Sequence, residues 1–131
     1  MERAGARFPA RWEDGGVLVV EVVGDFDGPA AAELSGLLTR TARTGQRLFV
    51  VDFREVDRCS ADAVRQFVGA GPETEALPGG FLAVVPGTTA RPVLDAEGAD
   101  RLSGGIHDTV LSALEACRSS APEAGGAGVL N

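Results

Sequence analysis

The chain has 131 residues, 44% of them hydrophobic, and a formal net charge of −7 at pH 7. This length suits one domain with a sizeable core, and no apolar run approaches the roughly 18 residues of a membrane span. All 12 cationic residues are arginines that stand singly, a usage typical of GC-rich genomes. No basic stripe is therefore available for nucleic acid. We expect a cytoplasmic protein without a secretory signal, with no nucleic acid partner and no membrane insertion.

The residue types that usually build metal or redox sites are scarce. Cys59 and Cys117 lie far apart without paired spacing, and His107 is the single histidine. Neither a zinc site, nor a disulfide framework, nor a histidine dyad is indicated. We expect no metal and no cofactor.

The first half of the chain is typical of strands alternating with a helix. Phe8 to Trp12 and the apolar run Val17 to Val23 predict two strands joined by a turn at Glu13 to Gly16. A helix begins at Asp27-Gly28-Pro29, where proline suits the first turn, and Gly45 ends it. The apolar face of this helix is predicted from Leu34, Leu37, Leu38 and Thr41.

The middle of the chain repeats this pattern. Leu48 to Phe53 predicts a third strand whose buried part ends at Asp52, followed by a short polar crossing. Ser60 is expected to cap the next helix. The apolar face of this helix is predicted from Val64, Phe67 and Val68. The helix is expected to be cut short by Gly69, Gly71 and Pro72. One further helical turn is expected at Glu73 to Leu77.

In the last third of the chain, the sequence patterns of the predicted strands and helices are less regular. Phe81 to Val85 is a fourth strand, and Thr89 to Glu97 is expected to be a short helical piece because Pro92 interrupts it. Arg101 to His107 is expected to hold an edge strand, and Asp108 to cap a last helix. The buried face of that helix is predicted from Val110, Leu111, Leu114 and Cys117.

Alternating strands and helices favour an α/β fold with a mixed, largely parallel sheet. We expect about four to five strands, and about four helices packed mainly on one side. Residues 1–117 form the predicted domain, and 118–131 are predicted to be a disordered tail because they are small and polar.

Two strand-to-helix turns carry the most informative residues. One runs from Gly24 to Pro29, and the other leads from the third strand to Ser60. Both follow strands of the same predicted sheet, so we expect their polar residues to lie at one edge and to form one surface.

These turns resemble the STAS domain of bacterial anti-sigma-factor antagonists. That family carries a G-E-L-D turn and then a D-L-S-x-V-x-F-h-D-S-S-G segment, where h is apolar and the first serine of the D-S-S-G run is phosphorylated. Gly24 and Asp27 stand at the glycine and aspartate of the first motif, and Asp52 at the first aspartate of the second. The likeness covers about Phe8 to Ala116.

The phosphorylation motif is altered in this chain. Ser60-Ala61-Asp62-Ala63 stands where the family has D-S-S-G, so the acceptor position is Ala61. Sliding the alignment by one would make Ser60 the acceptor. The slide would also put Ala63 and Gln66 at the core positions of Val64 and Phe67, which costs apolar burial. We therefore prefer the unshifted register and keep Ser60 as a displaced alternative.

The resemblance implies a protein that binds a kinase-like anti-sigma factor, with the usual phosphorylation switch lost or altered. Asp62 is then either a fixed mimic of phosphoserine or an ordinary helix-start residue, which the helix dipole favours. No catalysis is expected, and the protein is expected to be a monomer or a weak dimer. The implied partner-binding residues are Asp25, Asp27, Gly28, Ser60, Ala61, Asp62 and Arg65.

Two other functions remain as alternatives. STAS folds also serve as scaffold subunits of transport or envelope complexes, and nothing in the sequence excludes that role. Asp25 and Asp27 also resemble the first motif of haloacid-dehalogenase-type phosphatases, as nucleophile and acid around magnesium. The chain has no lysine and no late acidic pair after Val85, and Pro29 stands where that family prefers threonine.

Overall fold

The computed structural model describes residues 6–75 and 80–120, with the side chains of 70–75 excepted. In this part of the chain, five strands and four α-helices alternate, and one 3-10 turn at Ala99–Arg101 precedes the last strand. The elements are β1 (Ala10–Glu13), β2 (Val17–Phe26), α1 (Gly28–Arg43), β3 (Leu48–Cys59), α2 (Ala61–Glu75), β4 (Phe81–Val85), α3 (Gly87–Ala96), β5 (Gly105–Ile106) and α4 (Val110–Ser120).

The five strands form one sheet in the order β1-β2-β3-β4-β5. β1 is antiparallel to β2, and the other three pairs are parallel. Helical crossovers join the parallel strands, as a parallel sheet requires. The predicted α/β class with a mixed, largely parallel sheet is confirmed, and so is the strand at Phe81–Val85.

Helices cover both faces of the sheet unequally. The larger core packs α1, α2 and α3 against one face, around residues such as Leu34, Val51 and Leu94. A smaller core on the other face packs α4 through Ala113, Leu114 and Cys117. The prediction that the helices pack mainly on one side is confirmed, because three of the four share a face.

β3, with 12 residues, is twice as long as the predicted strand Leu48 to Phe53. It does not end at Asp52 but continues to Cys59, and the expected polar crossing is paired with β2. The register shifts twice along this pair, so β3 holds extra residues opposite β2, as in β-bulges. Gly24 lies at the second shift with φ 106°, a conformation that favours glycine.

Two helices are longer than predicted. α2 continues through Gly71 and Pro72 to Glu75, although a glycine costs about 1 kcal/mol in a helix; residues 76 and 77 of the predicted extra turn lie outside the described residues. α3 continues past Pro92 to Ala96. Its Ala90 and Leu94 are fully buried, and this packing offsets the hydrogen bond that proline removes.

The ends of the chain also differ in detail from the prediction. The hydroxyl oxygen of Thr109, not Asp108, caps α4 by accepting from the Ser112 N–H at 3.0 Å. Leu111, predicted as core, is 62% exposed, because the helix turns this position away from the sheet. α4 includes residues 118–120 of the predicted tail, and 121–131 lie outside the described residues.

Pairing of the N-terminal segment with β2 begins before β1. Arg7 forms an isolated bridge with Val23, and β1 itself starts at Ala10 instead of Phe8. Among the described helices, none is both long and apolar enough to cross a bilayer.

Candidate functional site

The two polar turns meet where β2 and β3 end side by side. Phe26 pairs with Cys59 in the parallel ladder, and the Ser60 N–H donates to the Phe26 carbonyl oxygen at 3.0 Å. The start of α1 therefore adjoins the start of α2. The prediction that the two turns lie at one edge of the sheet is confirmed.

The first turn is fixed by the cap of α1. Asp27 precedes the helix in an extended conformation, and its Oδ1 accepts from the Ala30 N–H at 3.1 Å. Gly28 follows where α1 approaches α2: a Cβ there would lie 3.4 Å from the amide nitrogen of the Gln66 side chain. Asp27 and Gly28 thus shape this surface by their position at the helix start.

A cluster of three phenylalanines lies beneath both turns. Phe26, Phe53 and Phe67 are fully buried and pack edge to face, with ring centroids 5.1 to 6.4 Å apart. Such edge-to-face pairs add about 0.5–1.5 kcal/mol beyond their burial. Because the rings come from β2, β3 and α2, they hold the start of α2 against the sheet.

The start of α2 carries the altered phosphorylation motif. The Ser60 hydroxyl oxygen accepts from the Ala63 N–H at 3.0 Å, which confirms the predicted N-cap. Ala61 is exposed and presents no hydroxyl. Val64 and Phe67 are fully buried whereas Gln66 is exposed, so the core positions used to choose the register are confirmed.

Arg65 links α2 to the end of α3. Its Nη1 donates to Asp62 Oδ1 at 2.7 Å, and its Nε donates to Glu97 Oε1 at 3.1 Å. Both carboxylates raise the pKa of Arg65, with Glu97 contributing most. Asp62 is 81% exposed, and its charge is therefore paired with a cation at the surface.

The two turns enclose a shallow depression of about 300 Å³. Arg58 lines this depression, since Arg58 lies opposite Asp25 in the β2–β3 ladder. Burial raises the pKa of the Cys59 thiol to about 11, so this half-buried cysteine is a weak nucleophile at neutral pH. The lining residues are Asp25, Phe26, Asp27, Arg58, Cys59 and Ser60.

Asp52 has a structural role on the face of the sheet opposite the phenylalanine cluster. It is 2% exposed, and its carboxylate accepts from the Arg54 N–H, Nε and Nη2 at 2.8 to 3.1 Å. This pair spans the first register shift. A buried carboxylate needs such partners, so Asp52 stabilises the bulge of β3.

The predicted site residues fall into two adjoining groups. Asp25, Asp27 and Ser60 line the depression. Gly28 begins α1, and Ala61, Asp62 and Arg65 lie in the first turns of α2.

Three further residues belong to the site and were not predicted. Arg58 and Cys59 were assigned to a crossing, because this part of β3 lacks the alternation typical of a strand: Val56 is buried with two exposed residues on each side. Glu97 lies 32 residues from Arg65, and no local pattern indicates that contact. Within residues 6–75 and 80–120, no cluster of three or more His, Cys, Asp or Glu side chains has metal-binding geometry.

The fold is an α/β domain of the STAS type, which solved anti-sigma factor antagonists share. An anti-sigma factor antagonist of Mycobacterium paratuberculosis superposes with a TM-score of 0.69 at 24% identity, over 87% of this chain and 95% of that one. A Thermotoga maritima protein assigned to the same class gives 0.72 at 20% identity, over 85% and 94%.

The anti-sigma factor antagonist SpoIIAA, in its unphosphorylated form, gives a TM-score of 0.63 at 14% identity, over 83% of this chain and 94% of that one. No family model and no curated protein matches the sequence. The likeness is therefore one of fold, and it extends over nearly the full length of each neighbour.

Proposed function

We propose that this protein is an anti-sigma factor antagonist that acts in the cytoplasm by binding a kinase-like anti-sigma factor. Binding would release a sigma factor and raise transcription. The proposal is supported by the fold, which the chain shares with three antagonists of this class, and by the surface at the ends of β2 and β3.

One observation carries the proposal: the hydrogen bond between Ser60 N–H and the Phe26 carbonyl oxygen joins the half-buried polar turn before α1 and the exposed start of α2 into one surface. We define the docking surface as Asp25, Asp27, Gly28, Ser60, Ala61, Asp62 and Arg65. It carries charges of both signs above a rigid aromatic base. Charged surfaces of this kind give specificity and steer association more than they add affinity.

The phosphorylation switch is lost in this proposal. Ala61 has no hydroxyl group to accept phosphate, and the Ser60 oxygen is engaged as the cap of α2. Asp62 is paired with Arg65 at 2.7 Å, which favours the role of a helix-start residue over that of a phosphoserine mimic. Control by synthesis, or by competition for the partner, would replace control by a kinase.

The phosphatase alternative is less well supported by the same geometry. Its second aspartate, Asp27, caps α1 through Oδ1, whereas a general acid must be available to protonate the leaving group. A scaffold role in a transport complex uses the same fold and remains the alternative.

The test is titration of the full chain with each kinase-like anti-sigma factor of the same genome, with binding measured by calorimetry. We expect one of them to bind and to lose its sigma factor. Replacing Asp25 by Arg should weaken that complex without changing the melting temperature. If no anti-sigma factor binds, while the chain copurifies with a transporter through this surface, the scaffold function is the correct one.

A further inference from the structure

The outer edge of β1 is unpaired within the described part of the chain. Arg7 exchanges both backbone hydrogen bonds with Val23, and the Pro9 carbonyl accepts from Glu21. Since bonding alternates along an antiparallel strand, the odd-numbered residues face β2. The even-numbered Phe8, Ala10 and Trp12 direct their N–H and C=O groups outwards, and no strand of the described chain pairs with them.

Proline and charge usually protect such an edge, but Pro9 does not protect this one. It occupies an inward position, where its missing N–H would have faced β2. The outward donors at Phe8, Ala10 and Trp12 are all retained. Trp12 is 64% exposed, and tryptophan is enriched at protein–protein interfaces relative to the rest of a protein surface.

The side chains of this segment fit a second copy of themselves. In an antiparallel pair centred on Ala10, Phe8 lies opposite Trp12 of the second copy, and Arg7 lies opposite Glu13. Phe8 and Trp12 pair with β2 positions of the α1–α3 face, whereas Arg7 and Glu13 pair with positions of the α4 face. Each cross-strand pair therefore matches in chemistry and in face.

Other registers satisfy the sequence less well. Moving the symmetry axis from Ala10 to Arg11 places Arg11 opposite Arg11 of the second copy, and like charges directly opposite are destabilising. Moving the axis to Trp12 places Ala10 opposite Asp14, whose carbonyl oxygen already accepts from Arg118 at 3.3 Å. The register centred on Ala10 is favoured because it pairs residues 7–13 without a like-charge contact.

We propose that two copies of this chain associate through the outer edges of β1, in an antiparallel pair centred on Ala10, to form one continuous ten-stranded sheet. The interface has twofold symmetry, so each contact occurs twice. Backbone hydrogen bonds set its direction, and the Phe8–Trp12 and Arg7–Glu13 pairs set its register.

Sedimentation equilibrium of the full chain over a range of concentrations tests this proposal. We expect a reversible dimer for the native sequence. Ala10→Pro removes two hydrogen bonds at the symmetry axis, and should raise the dimer dissociation constant about tenfold or more. The pairing with β2 uses odd positions and is retained, so the melting temperature should change little.

A charge exchange tests the register independently of proline. Arg7→Glu alone should weaken the dimer, and the double variant Arg7→Glu, Glu13→Arg should restore it in part, because Glu13 also pairs with Arg11 in its own strand. Leu111→Ser is the matched control, because among the described side chains it removes the other large exposed apolar one and should have no effect. A native chain that remains a monomer at its solubility limit contradicts the proposal, as does a dimer that responds to Leu111→Ser and not to Ala10→Pro.

Discussion

Arg65 Nη1 lies 2.7 Å from Asp62 Oδ1, and the same guanidinium reaches Glu97 through Nε. The cation at the start of α2 therefore bridges two carboxylates from different parts of the chain. Arg65 therefore holds the start of α2 against the end of α3 within the proposed docking surface. Charge substitutions of Arg65 or Asp62 should disturb this bridge.

Arg65→Glu should weaken binding of the anti-sigma factor at least about tenfold, or about 1.4 kcal/mol. The substitution removes the bridge and brings three carboxylates together on the surface. Titration calorimetry measures the affinity. Arg91→Glu is the matched control, since Arg91 also bridges two carboxylates, Asp95 and Asp108, and lies outside the docking surface. Equal losses for both variants would mean that net charge, not position, controls binding.

Asp62→Asn should change the affinity for the anti-sigma factor less than about threefold, because Arg65 already neutralises this carboxylate. Loss of a first-turn charge should lower the free energy of unfolding by about 0.3–1 kcal/mol. Calorimetry and urea unfolding measure these two quantities. A large gain in affinity would instead identify Asp62 as a fixed mimic of phosphoserine.

Incubation with the cognate kinase and ATP should add no phosphate to the native chain, as measured by intact mass. Ala61 lacks an acceptor oxygen, and the Ser60 hydroxyl caps α2. Ala61→Ser should restore modification in part, because Ser60 and Ala63 still differ from the family motif. Phosphate mapped to Ser60 in the native chain would show that the displaced register is the correct one.

The thiols should make stability fall at high pH. Burial raises the pKa of Cys59 to about 11 and that of Cys117 to about 12, from an ordinary value of 9.0. The unfolded chain ionises first, so this stabilisation is complete below pH 9 and is lost as pH rises towards 11 or 12.

Urea unfolding between pH 8 and pH 11 measures the effect, with Cys117→Ala as the comparison variant. We also expect Cys59 of the folded chain to react with thiol reagents at pH 8 about a hundredfold more slowly than in urea. Reaction at the rate of the unfolded chain would contradict the buried environment of Cys59.

Gly87→Ala should lower the free energy of unfolding by about 2–4 kcal/mol. Gly87 has φ +67°, and a Cβ there would lie 2.7 Å from the Arg54 Cα. Gly45→Ala is the matched control: its φ is +104°, but no atom lies within 4 Å of the added Cβ. It should cost about 1–2 kcal/mol. Equal losses in the free energy of unfolding would show that the backbone at Arg54 moves away from the added Cβ without strain.

The elements that local chemistry defines could be predicted from the sequence. The apolar run from Val17, the cap at Asp27 and the cap at Ser60 each act within a few residues, and all three are present. The extension of β3 beyond Asp52 could not, because its mostly charged residues acquire strand structure only by pairing with β2. The length of α3 was likewise set by burial of Leu94, which outweighed Pro92.

The site was predictable in its position and less so in its contacts. Parallel strands place their following turns at one edge, so Asp25 and Ser60 were expected to be neighbours. The bridge from Arg65 to Glu97 depends on how α3 packs beside α2, and no spacing in the sequence encodes it.

The aromatic cluster under the docking surface has a thermodynamic consequence. Phe26, Phe53 and Phe67 connect the two turns to the centre of the core, so local opening of this edge would require disruption of the core itself. A partner that docks at Ser60, as proposed, should meet a preformed surface, and the association should cost little conformational entropy. We expect amide hydrogen exchange of Val64 and Phe67 to be as slow as that of the central strands, whether or not the partner is present.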